Sequence, residues 1–170
     1  LTRLFTDGQS ITVAACPTLR ELEWRDSALS AKRVALGDVT TLSKMKAFVG
    51  AVRPDFRFPP EVTTLDLHVF KEPFDGACLQ PLTRLQELTI DADKVDAPID
   101  LSPLVALTQL DARATPIARF PTSLVECNAE LETDVDVSAL TCLTHMRVTL
   151  QSDVAVTFPT QLKELVLYQG

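Results

Sequence analysis

A short pattern of apolar residues, apolar-x-x-apolar-x-apolar, recurs along all 170 residues of this chain. The copy Leu85–Ile90 shows it clearly, as Leu-Gln-Glu-Leu-Thr-Ile. We call the central apolar residue of each copy the repeat anchor; the anchors are Leu4, Leu22, Met45, Leu65, Leu88, Leu110, Cys127, Met146 and Leu165. Successive anchors lie 17 to 23 residues apart. Nine anchors at so regular a spacing predict a repeat array, in which each repeat is one stacked unit.

The residues around each anchor predict a short β-strand, because apolar and polar side chains alternate there with period two. Consecutive strands must run parallel, since each return segment brings the chain back to the same edge of the sheet. The return segments have roughly 10–15 residues, which favours 3₁₀ turns, extended stretches and at most short helices. A second apolar position follows the anchor by seven residues and is predicted to close the core; it holds Leu29, Val52, Val95 and Ile117.

The pattern resembles the leucine-rich-repeat family over essentially the whole chain. Leu101-Ser-Pro-Leu104 is similar to the short-repeat class that includes phosphatase-regulator-like and internalin-like arrays. Phe58-Pro59 and Phe120-Pro121 resemble the proline-bearing lead-in of bacterial effector repeats and of some protist arrays. The resemblance implies an α/β-type right-handed solenoid, or horseshoe, with short parallel strands on its concave face and 3₁₀ or extended segments or short helices on its convex face. We expect residues 1–170 to be a single array of about nine repeats and a segment of a longer protein.

The chain departs from that family at the position where its members place a structural asparagine. This position lies three residues after the last apolar residue of each strand and holds Ser27, Gly50, Phe70, Asp93, Thr115, Glu132, Gln151 and Gly170. Serine, aspartate and threonine can partly replace asparagine by side-chain-to-backbone hydrogen bonds. Phe70 and Gly50 cannot, so we expect irregular turns.

The charge balance limits the partners, because the net charge is −7. Nucleic acids and anionic membrane surfaces both require clustered basic residues, so we expect neither to be a ligand of this chain. No apolar stretch is long enough to cross a bilayer. We expect an intracellular, cytoplasmic protein, since no leader precedes the array and the cysteine-bearing caps of many secreted relatives are missing. The four cysteines, Cys16, Cys78, Cys127 and Cys142, are then expected to be reduced.

The sequence contains no pattern that predicts catalysis, a cofactor or a metal. The five glycines form no phosphate-binding loop, and the histidines, His68 and His145, form no zinc motif. Acidic pairs such as Asp91/Asp93 lack the loop of a calcium site and are interpreted as solvated turn residues. Trp24 lies at a core-facing position. The chain is therefore predicted not to be an enzyme.

The outward side chains between the anchors form the predicted binding face, because solenoids usually bind partners on the concave sheet. Arginine and aromatic side chains dominate protein interfaces, and charged neighbours set specificity. We nominate Arg25, Phe48, Asp66, His68, Asp91, Asp111, Arg113, Arg147 and Tyr168. The predicted function is a scaffold that binds a protein partner with a basic or mixed surface. Two alternatives remain: a sensor or targeting part of a larger enzyme or effector, and a structural component that self-associates through uncapped ends.

Overall fold

A computed structural model describes residues 1–7, 11–12, 17–30, 34–35, 39–131, 133–150 and 153–169. Nine parallel strands form one sheet, in which the strand order follows the chain. They are β1 (Arg3–Asp7), β3 (Glu21–Asp26), β5 (Lys44–Val49), β6 (Thr64–Val69), β7 (Glu87–Ala92), β9 (Gln109–Arg113), β11 (Glu126–Leu131), β13 (His145–Leu150) and β15 (Glu164–Gln169). This confirms the predicted solenoid of parallel strands.

The register of the sheet follows the repeat anchors. Leu65 pairs with Leu88, Leu88 with Leu110, and Leu110 with Cys127. The same alignment continues through every strand, from Leu4 opposite Leu22 to Met146 opposite Leu165. Anchors from Leu22 to Met146 are buried, so they form a continuous core that no single repeat could build. Trp24 is fully buried in the same core, as predicted.

The return side of the solenoid consists of very short elements. Six strands form three parallel pairs: β2 (Ile11–Thr12) with β4 (Val34–Ala35), β8 (Ile99–Asp100) with β10 (Ile117–Arg119), and β12 (Val135–Asp136) with β14 (Val156–Thr157). One 3₁₀ helix spans Gly76–Leu79, and the described residues contain no α-helix. The extended and 3₁₀ segments were predicted, whereas the three strand pairs were not.

The second apolar position of each repeat closes the core, as its spacing predicted. Leu29 and Ile117 are buried, and Val52 and Val95 pack against the core. Leu29 also forms a parallel bridge with Val52. These contacts hold the return side against the sheet.

The position of the family's asparagine is filled differently in different repeats. Thr115 is buried; its Oγ1 accepts a hydrogen bond from the Ala92 N–H at 3.0 Å and donates one to the Arg113 carbonyl at 3.2 Å. Threonine therefore replaces asparagine here, as expected. At Gly50 a β-carbon would lie 2.6 Å from the Ser27 carbonyl oxygen, so the close approach of two turns requires glycine.

The turns after two strands are irregular, but they are not the turns at Phe70 and Gly50, where the loss of the asparagine predicted irregularity. Ala114 and Asp153 have positive φ angles of 51° and 68°, a region that L-residues rarely adopt. Phe70, at the equivalent turn position, is 47% exposed. Three further positions of this series, Glu132, Gln151 and Gly170, lie outside the described residues.

The core-facing side of β15 is partly open to solvent. Leu165 and Leu167 are 40% and 53% exposed, whereas Met146 and Val148, which pair with them, are 1% and 0% exposed. No strand among the described residues covers the far edge of β15. Self-association through such an edge stays a prediction.

Candidate functional site

The outward side chains of the nine-stranded sheet form what we call the outer face. Because side chains alternate along a strand, each repeat contributes residues from the positions between its core-facing ones. One column of this face contains Phe5, Glu23, Lys46, Asp66, Thr89, Asp111, Asn128, Arg147 and Val166. The next column includes Arg25, Phe48, His68, Asp91, Arg113, Thr149 and Tyr168. All nine nominated residues thus lie on the outer face; their role in binding stays a prediction.

A groove of about 460 Å³ crosses the outer face from β6 to β15. Its walls carry five carboxylates and two arginines: Asp66, Glu87, Asp111, Glu126, Glu164, Arg113 and Arg147. Glu87, Glu126 and Glu164 were not among the nominated residues. Each directly precedes a repeat anchor, so the same alternation that placed the other residues on the outer face could have identified them. The groove therefore has an acidic character.

Aromatic and cationic side chains stack at the other half of the outer face. The rings of Phe48 and His68 are parallel within 9°, with centroids 4.6 Å apart. The Arg25 guanidinium lies 5.0 Å from the Phe48 centroid and 5.4 Å from that of Phe5. Lys46 Nζ lies 4.8 Å from the Phe48 centroid. We call these five residues the aromatic–cation cluster; cation–π contacts fix its side chains before any partner arrives.

Carboxylates orient the histidine of this cluster. His68 Nε2 lies 2.8 Å from Asp66 Oδ1, and His68 Nδ1 lies 3.5 Å from Asp91 Oδ2. Asp66 Oδ1 is shielded from water and accepts no hydrogen bond of good geometry among the described residues, so the His68 imidazole is its close polar neighbour but does not fully satisfy it. Lys46 Nζ pairs with the second Asp66 oxygen at 2.6 Å. The cluster is therefore joined to the acidic groove through Asp66.

Ion pairs also organise the acidic groove. Asp111 Oδ1 accepts hydrogen bonds from Arg113 Nε at 3.1 Å and from Asn128 Nδ2 at 3.0 Å. Arg147 Nη2 lies 3.7 Å from Glu164 Oε1. Tyr168, on the last strand and 53% exposed, lies outside both the groove lining and the aromatic–cation cluster. The structure thus brings together seven of the nominated residues in two adjoining areas, places Asp91 beside His68 of the cluster, and leaves Tyr168 apart.

The described cysteines differ in burial and therefore in reactivity. Burial, and secondarily the charge of Asp111, raises the pKa of Cys127 to about 12. Burial, and secondarily the charge of Asp75, raises the pKa of Cys78 to about 12. Neither thiol is a nucleophile at neutral pH, since reaction requires the thiolate. Cys142 is exposed, and Cys16 lies outside the described residues.

The described residues contain neither a metal-binding cluster nor a membrane-spanning helix. No group of three or more histidine, cysteine, aspartate or glutamate side chains within the described ranges could hold a metal ion. In the same part of the chain, no helix is long and apolar enough to span a bilayer.

The fold is that of a leucine-rich-repeat solenoid, with parallel strands on one side and a single short 3₁₀ helix in the part of the chain that the structure describes. Among solved structures, the chain is similar to the internalin C2 of Listeria monocytogenes, with a TM-score of 0.64 and 16% sequence identity over 99% of this chain and 80% of that one. A second match is the functional domain of InlJ from Listeria monocytogenes, which includes a cysteine ladder; its TM-score is 0.44 with 17% identity, over 99% of this chain and 48% of that one. Neither a family model nor a curated protein matches the sequence. At this identity the likeness to internalin C2 shows the fold alone.

Proposed function

We propose that this chain is a non-catalytic recognition module, which binds a segment of a partner protein on its outer face. The observation that supports it most is the groove from β6 to β15, whose walls carry five carboxylates against two arginines. Complementary charge steers a partner to such a surface and suppresses partners of the wrong sign. The proposed partner segment carries lysine or arginine side chains, with some acidic residues opposite Arg113 and Arg147.

The aromatic–cation cluster supplies the second part of the proposed contact. Arginine and aromatic residues dominate the binding energy of protein interfaces. Phe48 lies between Arg25, Lys46 and His68, so these side chains lose little conformational freedom when a partner binds. The cluster adjoins the groove at Asp66, and a single extended segment could contact both. This arrangement favours recognition of an elongated segment over that of a small molecule.

Charge reversal on the outer face tests the proposal. Ligands for the folded chain are selected from a displayed library of random peptides, and their dissociation constants are measured by fluorescence anisotropy across a salt series. We expect the selected peptides to be rich in lysine and arginine, and their binding to weaken with salt. Asp111→Lys should weaken binding by about tenfold, as expected for the loss of one charged contact, and Arg113→Glu should do so for the selected peptides that carry an acidic residue opposite Arg113. Both side chains are partly exposed, so neither change should unfold the array.

Asp55→Lys is the matched control, because Asp55 is exposed and lies on a return segment away from the groove. It makes the same charge change as Asp111→Lys and should leave the affinity within about twofold of the parent value. Circular dichroism melts establish that all variants are folded. Normal binding by both outer-face variants would refute the proposal and place recognition on the return side or the rims.

A further inference from the structure

The strand pairing on the return side is interrupted between two repeats whose front strands are hydrogen-bonded. β9 and β11 are neighbours in the nine-stranded sheet. Their return strands are not: β10 pairs with β8, β12 pairs with β14, and among the described residues no pairing joins β10 to β12. The two repeats therefore diverge toward the return side, and the facing edges of β10 and β12 stay unpaired.

The space between these two edges is a cleft of about 750 Å³, which we call the return-side cleft. Residues from three consecutive repeats line it, and apolar side chains such as Pro116, Phe120 and Val135 form much of its surface. Ala118 and Ala139, both exposed, also line it. Small side chains at these two positions leave the entrance open.

The backbone of β12 offers hydrogen-bonding groups to the cleft. The N–H groups of Val135 and Val137 donate to the carbonyls of Ala155 and Thr157, on the β14 side, at 3.1 and 2.9 Å. Peptide groups alternate in direction along a strand, so the N–H and carbonyl of Asp136 are directed away from β14 and toward β10. An exposed strand edge of this kind accepts an extended chain by strand addition.

The charges around the cleft define which extended chain fits. Asp96, Asp134 and Asp136 are exposed carboxylates of the lining, and Arg119 is the one cation among the described residues that line the cleft. Arg119 is itself 4.0 Å from the Asp100 carboxylate. Hydrogen bonds from the side chain and backbone of Ser138 lower the pKa of Asp136, which keeps that carboxylate charged. The cleft therefore complements basic side chains.

We propose that the return-side cleft binds an extended, basic-flanked segment of a partner protein, which adds as a strand to the free edge of β12. Apolar side chains of the segment pack on Pro116, Phe120 and Val135. Lysine or arginine residues on either side of them pair with Asp96, Asp134 and Asp136. This surface is separate from the outer face, and the proposal does not rest on the function proposed above.

A synthetic peptide of the required chemistry, Lys-Val-Thr-Val-Thr-Val-Lys with blocked ends and a fluorescent label, tests the proposal. Binding is measured by anisotropy, and hydrogen exchange of the Asp136 amide is followed by NMR. We expect saturable binding and slower exchange of that amide, because strand addition supplies it with an acceptor. Peptides with a central proline, or with glutamate in place of both lysines, should bind at least about tenfold more weakly.

Two lysine variants locate the bound peptide. Ala118→Lys places a positive charge and a long side chain in the cleft and should weaken binding by about tenfold. Val105→Lys is the control, because it also introduces a lysine, at a position that is 68% exposed and outside the cleft. This variant should change the affinity for the peptide by less than about twofold.

Three results would overturn the proposal. One is the absence of saturable binding by the lysine peptide; another is equal binding of the glutamate or proline peptide. The third is binding that is lost in Asp111→Lys but unchanged in Ala118→Lys, since the peptide would then occupy the outer face. That last result would support the proposed function while removing the return-side cleft as a binding site, so the two proposals fail separately.

Discussion

Leu88→Ala tests whether the repeat anchors hold the solenoid together. Leu88 is 2% exposed and lies on β7, where Leu65 and Leu110 flank it on the neighbouring strands. Substitution removes buried apolar atoms and leaves a cavity that the packed repeats on both sides cannot fill. Measured Leu→Ala changes of this kind cost about 3–5 kcal/mol. We expect a loss of about 3 kcal/mol in the free energy of unfolding, or about 6–12 °C in Tm for a chain of this size.

Leu165→Ala is the matched control for that change. Leu165 occupies the equivalent anchor position on β15 but is 40% exposed, so water already contacts it and can fill the space left by the substitution. The expected loss is about 1 kcal/mol. The ratio between the two variants depends only on the stacking of repeats, because the residue types and the strand positions are the same.

The assay is urea unfolding followed by two probes. Far-ultraviolet circular dichroism reports the whole sheet, and the fluorescence of Trp24, the one tryptophan of the chain, reports the core behind β3. Coincident transitions allow the two-state treatment that these free energies require. A loss below about 1 kcal/mol for Leu88→Ala, or equal losses for both variants, would refute the assigned register and the burial that follows from it.

Three further predictions concern a buried polar group and the thiols. Thr115→Val removes the acceptor of a buried backbone N–H and should cost about 1–3 kcal/mol in urea unfolding, while Thr115→Ser should restore most of the loss; equal stability of the two variants would contradict this role. In a Cys16→Ala background at pH 8, a thiol reagent should modify the exposed Cys142 rapidly, the partly buried Cys78 more slowly, and the buried Cys127 only on unfolding; rapid modification of all three would contradict their placement. Because folding raises the pKa of Cys78 and Cys127 from 9.0 to about 12, the unfolded thiols ionise first, and the urea midpoint should fall as the pH rises through that window.

The spacing of the repeats was enough to predict which side chains lie on the outer face. The anchors fix the register, and the register fixes which side chains occupy one column, so all nine nominated residues could be placed on the outer face from the sequence. The three glutamates that precede Leu88, Cys127 and Leu165 follow from the same alternation but were overlooked. Localisation and the extent of the array as one segment of a longer protein stay predictions.

Contacts between side chains required the tertiary structure. The stacking of Phe48 on His68, and the distances of 2.8 and 3.5 Å from that imidazole to two carboxylates, depend on rotamers and on the spacing of neighbouring strands. Phe48, His68 and Asp91 lie on different strands and are far apart in the sequence, so no local sequence pattern predicts their contacts. The sequence accordingly identified Arg25, Phe48 and His68 as separate candidates, and the structure joined them into one cluster.

The parallel solenoid, its register and its core could be predicted from the amino-acid sequence alone, because stacking is how an apolar period of two within repeats of 17 to 23 residues buries the anchors of the inner repeats. The sequence did not determine the return side. There, segments of unequal length and composition pack against one another, and whether two of them come close enough to pair is decided by the packing of three repeats together. The pairing of β8 with β10, the divergence of β10 from β12 and the cleft between them are results of that packing.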